Sequence, residues 1–203
     1  MTELMDAESV LMAAAGTSLR PTAAATVMAL LQTEASIRQS RSQFSESDLL
    51  GNWRLHFVSA GKVNLSSKRL RGFFLPSFLP AQIGFQHNKI KDSAPLCVTN
   101  QITIGLIQLK FTGPARFESK KNLLGFDFTR IEVIVLGQRV YEGAVPSSRT
   151  NQNFQDIGIG KLPFFAFFAV TDGFIAARGR GGGLAMWVKN LNLIPESDST
   201  KIL

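Results

Sequence analysis

From Leu49 to Lys189 the apolar residues tend to recur at every second position, in short runs set apart by Gly, Asn, Pro and Lys. Such alternation belongs to half-buried strands, whose successive side chains point to opposite faces. Trp53, Leu55 and Phe57 alternate with Arg54, His56 and Val58, and further strands are predicted at 96–103, 105–111, 115–119, 123–129, 131–136, 138–142, 165–170, 173–177 and 184–188. The separations are too short for crossover helices, so the strands pair as hairpins. A chain of many short antiparallel strands forms a barrel or a sandwich, and a closed barrel leaves no bare edge. Phe126 and Phe128 share a face while Ile131, Val133 and Val135 have the opposite parity, which calls for a bulge or tight turn near 129–130.

Ahead of the strands the period is helical. Leu4, Met5, Leu11, Met12 and Ala15 fall on one side of a short helix ending near Gly16. Ala24, Val27, Met28, Leu31 and Ala35 mark a second, which starts after Pro21. This stripe is expected to pack on the strand body. The chain therefore divides into a helical extension at 1–48, a β-barrel domain at 49–190 and a tail at 191–203. The extension carries three basic and six acidic residues, and the barrel region eighteen basic and seven acidic, within a net charge of +7. A basic body suits an anionic membrane surface, an acidic protein or nucleic acid, and the acidic head offers a possible docking point for a protein partner.

Several chemistries lack their residues. A single cysteine, Cys97, excludes an internal disulfide and a thiolate metal cluster, and two histidines, His56 and His87, leave little for a metal site or a hydrolase relay. Gly158-Ile159-Gly160-Lys161 lacks the spacing of a phosphate loop, and Asp127 and Glu132 do not form a convincing carboxylate pair. We expect no enzyme activity, no metal and no cofactor. The Arg178–Gly183 run resembles one RGG repeat, but between two apolar strands it reads as a hairpin turn, so nucleic acid is not an expected partner. The acidic start has neither signal-peptide nor transit-peptide character, and no run approaches the roughly 20 apolar residues of a membrane span. A cytoplasmic protein, peripheral to a membrane, is expected. Its contact would be the segment joining Lys68, Arg69 and Arg71 to Phe73, Phe74 and Phe78, which meets anionic headgroups with cations and the interface with rings. Phe dominates the aromatics, at 16 against 2 Trp and 1 Tyr, which suits a carbon-lined cup.

Gly51-Asn52-Trp53 at the head of the first strand resembles the entry motif of lipocalin-like barrels. That resemblance implies an indole closing one barrel end beneath an arginine from the last strands, here Arg178 or Arg180. The wider string is similar to the plastid lipid-associated protein, or fibrillin, family. Leu49, Leu50, Gly51, Trp53, Leu55 and Ser59 fit that family's opening block, and Asp172, Phe174, Arg178, Gly179 and Gly183 its closing one, although Ile175 and Val58 depart from its pattern. The resemblance implies a mainly β, lipocalin-like antiparallel barrel with an N-terminal helical extension. It also implies binding or shielding of an apolar photosynthetic lipid (carotenoid, prenylquinone or membrane lipid) at a thylakoid-type surface, in a cyanobacterial-type member. Trp53, Phe57, Phe126, Phe128 and Phe174 are the expected lining. The alternatives are a phycobilin lyase-like barrel, using Arg139 or Arg149 for propionates and Glu132 or Asp172 as the acid, and a scaffold docking a partner through its helical head.

Overall fold

The computed structural model describes residues 6–16, 20–76, 78–88, 94–145 and 153–190. Three helices lead: α1 (Ala7–Ala15), α2 (Ala23–Ser40) and the short α3 (Glu46–Leu49). Thr22 caps α2 by accepting from the Ala25 N–H at 3.2 Å, and Ser45 with Asp48 forms a capping box on α3. Eleven strands follow: β1 (Gly51–Ser59), β2 (Gly72–Phe74), β3 (Ala81–His87), β4 (Leu96–Ile104), β5 (Ile107–Glu118), β6 (Leu123–Phe126), β7 (Arg130–Val135), β8 (Gln138–Ala144), β9 (Phe164–Val170), β10 (Phe174–Gly179) and β11 (Leu184–Lys189).

The sheet runs β4-β3-β1-β11-β10-β9-β6-β5, and β4 pairs with β5 to close an eight-stranded antiparallel barrel. The strands expected at 105–111 and 115–119 are one continuous strand, β5, which keeps unbroken register with β4 from Ala115 opposite Leu96 to Ile107 opposite Ile104. The 68–80 segment, whose Pro76 and Pro80 argue for a loop, carries the short β2, and β3, for which no strand was expected, follows it directly. Its prolines sit between the strands rather than inside them, where a missing N–H costs no ladder bond.

Two of the sheet's bulges bear on the expected lining residues. Against β11, Leu55 pairs with Trp187 but Phe57 with Met186, so His56 is the extra residue. Trp53 and Leu55 therefore point into the barrel, and Phe57 points out. The second bulge lies along β5. Ala115 pairs with Phe126 and Thr112 with Arg130, which sets two residues against three. This is the parity break required near 129–130. A Cβ at Gly113 would come within 1.8 Å of the Asp127 carbonyl oxygen, so only glycine lets the bulged strand approach.

Two apolar clusters result. One fills the barrel with Trp53, Phe85, Leu124, Phe167, Ile175 and Trp187 among others. The other lies outside it, between the helices (Leu11, Ala14, Val27, Leu30) and the outward side chains Phe57, Phe168, Phe174 and Met186. The helical stripe thus packs on the body as expected, although Met12 and Met28 remain exposed. Leu4, Met5 and the 191–203 tail lie outside the described residues.

Candidate functional site: an aromatic mouth and its ledge

The two ends of the barrel differ. At the floor, Trp53 is fully buried among Leu49, Phe85 and Leu96, and its indole N–H donates to the Leu49 carbonyl at 2.8 Å. The cation over its ring is neither arginine expected there. Lys189, paired with Trp53 across β1 and β11, places Nζ 5.3 Å from the ring centroid. Arg178 and Arg180 belong to the far end of β10. Arg178 faces outward to Glu34 on α2, and Arg180 donates to the Lys161 and Leu162 carbonyls.

At the other end Leu55, Phe128, Phe165 and Ala185 are only half-buried, so the interior opens to solvent. The rings there form a continuous ladder. Centroid separations run 5.3 Å from Trp187 to Phe165, 5.1 Å from Phe165 to Phe126, 5.1 Å from Phe126 to Phe128 and 5.7 Å from Phe128 to Phe111. The last step leaves the barrel. The outer half of β5 pairs with β4 on one side and with the β7–β8 hairpin on the other, making a four-stranded ledge beyond the mouth.

The ledge has two chemically distinct faces. β5 carries no bulge against β4, so Ile107, Leu109 and Phe111 lie on the same face as the interior residue Ala115, with Ile102, Ile131 and Val133 in register beside them. The apolar inner wall of the barrel thus continues outward as an open surface. On the opposite face Glu132 pairs with Lys110 at 3.3 Å and with Arg139 at 3.9 Å, and Glu142 pairs with Arg139 at 2.6 Å and with Arg130.

One loop at this end is cationic. The Ala60 N–H donates to the Arg71 carbonyl at 2.8 Å, which fixes the β1–β2 loop at this end. Lys62, Lys68, Arg69 and Arg71 are all exposed, and residues 60–80 contain no Asp or Glu. Phe73 is exposed on β2 and Phe78 is 82% exposed in the next loop. Phe74 is not part of this surface. It turns toward the helices, with its ring 4.8 Å from Phe57 and 5.5 Å from His56.

Of the five expected lining residues, Phe126 and Phe128 stand at the mouth, while Trp53 forms the floor. Phe57 and Phe174 sit on the outer wall beneath the helices, Phe57 because the bulge at His56 reverses the parity of β1 and Phe174 because it alternates with the interior residue Ile175 on β10. The ladder brings in Phe111, Phe165 and Trp187, which the sequence reading passed over; the alternation of Ile107, Leu109 and Phe111 with Gln108, Lys110 and Thr112 was the available signal. The groups considered for a bilin are dispersed. Arg139 and Glu132 are paired on the outer face of the ledge, Asp172 lies beyond the floor end of β9, and Arg149 falls outside the described residues. A separate hollow of about 350 Å³ opens between α2 and β9, but Glu34, Arg38, Lys120 and Lys121 give it a polar wall unsuited to a carbon chain. The chain matches no family model, no curated protein and no solved structure.

Proposed function

We propose that the protein is a lipid-binding barrel that holds an apolar lipid, of the carotenoid or prenylquinone type, against its aromatic mouth and ledge at an anionic membrane surface. The observation that carries this reading is the ring ladder from Trp187 to Phe111, which joins the barrel interior to an open apolar ledge. Packed rings fill the floor, so the ligand lies along the mouth rather than inside a closed cup. Each square ångström of apolar area removed from water contributes about 25 cal/mol before ordering costs. The exposed cations Lys68, Arg69 and Arg71 are placed to meet anionic headgroups, each contributing about 1 kcal/mol near the surface.

The test is fluorescence. Trp187 lies at the inner end of the ladder, so a bound polyene or quinone should quench it. Quenching in wild type that weakens in Phe128→Gln supports the reading, and its absence with carotenoids and prenylquinones overturns it. Changing Lys68, Arg69 and Arg71 to Gln should reduce retention on anionic vesicles, and salt should do the same to wild type.

A further inference from the structure

Two turn tips end the ledge, and both carry leucine. Gly105-Leu106 joins β4 to β5, Leu136-Gly137 joins β7 to β8, and the Leu136 N–H donates to the Leu106 carbonyl at 3.1 Å, which locks the tips side by side. Leu106 is 68% exposed, Leu136 71% and the adjacent Ile104 59%. Residue 136 has φ 52° and Gly137 φ 78°, a two-residue turn whose first position favours Asn, Asp or Gly. A leucine there holds a left-handed backbone it disfavours while leaving most of its side chain in water. Neither choice serves the fold.

We infer that these paired tips enter an anionic bilayer, so that the ledge takes its apolar ligand directly from the membrane; this rests on the lipid-binding reading above. Charge placement supports a bilayer as the occupant. Residues 102–109 and 133–138 contain no charged side chain, and charges resume at Lys110, Glu132 and Arg139. From Ile107 to Lys110 a strand rises about 10 Å, the depth to which interfacial segments sink into the headgroup boundary. The acid-free cations of residues 60–80 and exposed Phe78 lie at this same end of the barrel, where headgroups would meet them. The Thr103 N–H donates to the Pro80 carbonyl at 3.1 Å, which ties that loop to the base of the tip.

The experiment compares wild type with the double variant Leu106→Asn/Leu136→Asn. Asn suits both turns, so the thermal midpoint should hold or rise. Flotation with vesicles containing anionic lipid should show retention falling about tenfold or more, as expected for losing two buried leucines. Equal retention of a folded variant overturns the inference. So does a dimer of wild type, seen by sedimentation without vesicles, that the variant dissolves, since the tips would then be an interface between copies. Offering a carotenoid from vesicles and from cyclodextrin separates this inference from the lipid-binding reading. The variant should keep uptake from cyclodextrin and lose uptake from vesicles. Failure of wild type to take carotenoid from either source defeats the lipid-binding reading and ligand transfer along the ledge, while flotation still decides whether the tips insert.

Discussion

The guanidinium of Arg178 on β10 and the carboxylate of Glu34 on α2 meet as a two-pronged pair, with Nε to Oε1 at 2.7 Å and Nη2 to Oε2 at 2.5 Å. Both side chains are largely buried, and Nη1 of Arg178 also donates to the Val63 and Gly182 carbonyls. One arginine therefore binds helix, loop and hairpin together. A fork of parallel N–H···O bonds fixes direction as well as distance, which a lysine cannot reproduce. The cation that resembles a floor cap in the sequence is instead the clasp that holds the helices to the outer wall.

Arg178→Ala should therefore destabilise the protein by about 2–4 kcal/mol, since it leaves the mostly buried Glu34 carboxylate dependent on the exposed Arg38, 3.2 Å away. Glu34→Ala should act similarly, and the double variant should cost much less than the two losses added together. Denaturant melts of the four proteins check this, and additive losses would remove the clasp. Limited proteolysis between Ser40 and Ser45 should accelerate in either single variant.

Trp53→Ala should cost about 3–5 kcal/mol, the usual range for a large aromatic removed from a core. Lys189→Ala should cost about 1 kcal/mol or less, because the lysine is exposed and contributes a cation over the ring. Coupling in a double-mutant cycle should appear between Trp53 and Lys189 and be missing between Trp53 and Arg178. Coupling to Arg178 instead would contradict the geometry at the floor.

Much of this architecture was legible in the alternation of Trp53 and Leu55 with polar neighbours and in the helical stripe before it. What misled was local. A single extra residue at His56 reverses the face of everything after it on β1, and no periodicity in nine residues reveals that. The bulge near Thr129 was legible because five apolar residues flanked it in conflicting parity. β3 was hidden because its run Ala81–His87 reads Ala-Gln-Ile-Gly-Phe-Gln-His, with a glycine on the outer face weakening the strand signal after Pro80. The mouth was half legible. Phe126 and Phe128 declare their face, but their contact with Phe111 depends on β6 and β7 lying along the same edge of β5, a tertiary fact.

His56 gives a pH dependence. Its ring is buried, with Nε2 donating to the Ala14 carbonyl of α1 at 2.9 Å and Nδ1 accepting from Arg54 at 3.2 Å. Burial first, then the Arg54 charge and, less, that of Arg20, lower its pKa, opposed by the bond to Ala14. The folded state therefore prefers the neutral ring, while the unfolded chain takes up its proton near 6.5. The stability this supplies is complete above about pH 6.5 and is lost as pH falls through the lowered folded value. Melting across this range should show wild type losing stability faster than His56→Gln; parallel curves would remove His56 as the cause.

Phe126 and Phe128 should separate stability from binding. Phe126 is 7% exposed within the barrel cluster, whereas Phe128 is half-buried at the mouth and packs against that cluster from outside it. Removing Phe126 leaves a cavity flanked by Phe165 and Phe128, so Phe126→Ala should cost about 3–5 kcal/mol. Phe128→Gln removes a ring at a site water already reaches, where the amide can stay hydrated, and should cost about 1 kcal/mol. On the ligand side the order reverses. Phe128 bridges Phe126 and Phe111, so its loss breaks the ladder on which the proposed lipid site rests. Thermal midpoints with and without carotenoid provide the measurement, because a ligand that binds the folded state alone raises the midpoint. A carotenoid that stabilises wild type should stabilise Phe128→Gln far less, although that variant remains folded. A shift of equal size in both would place the ligand away from the ladder.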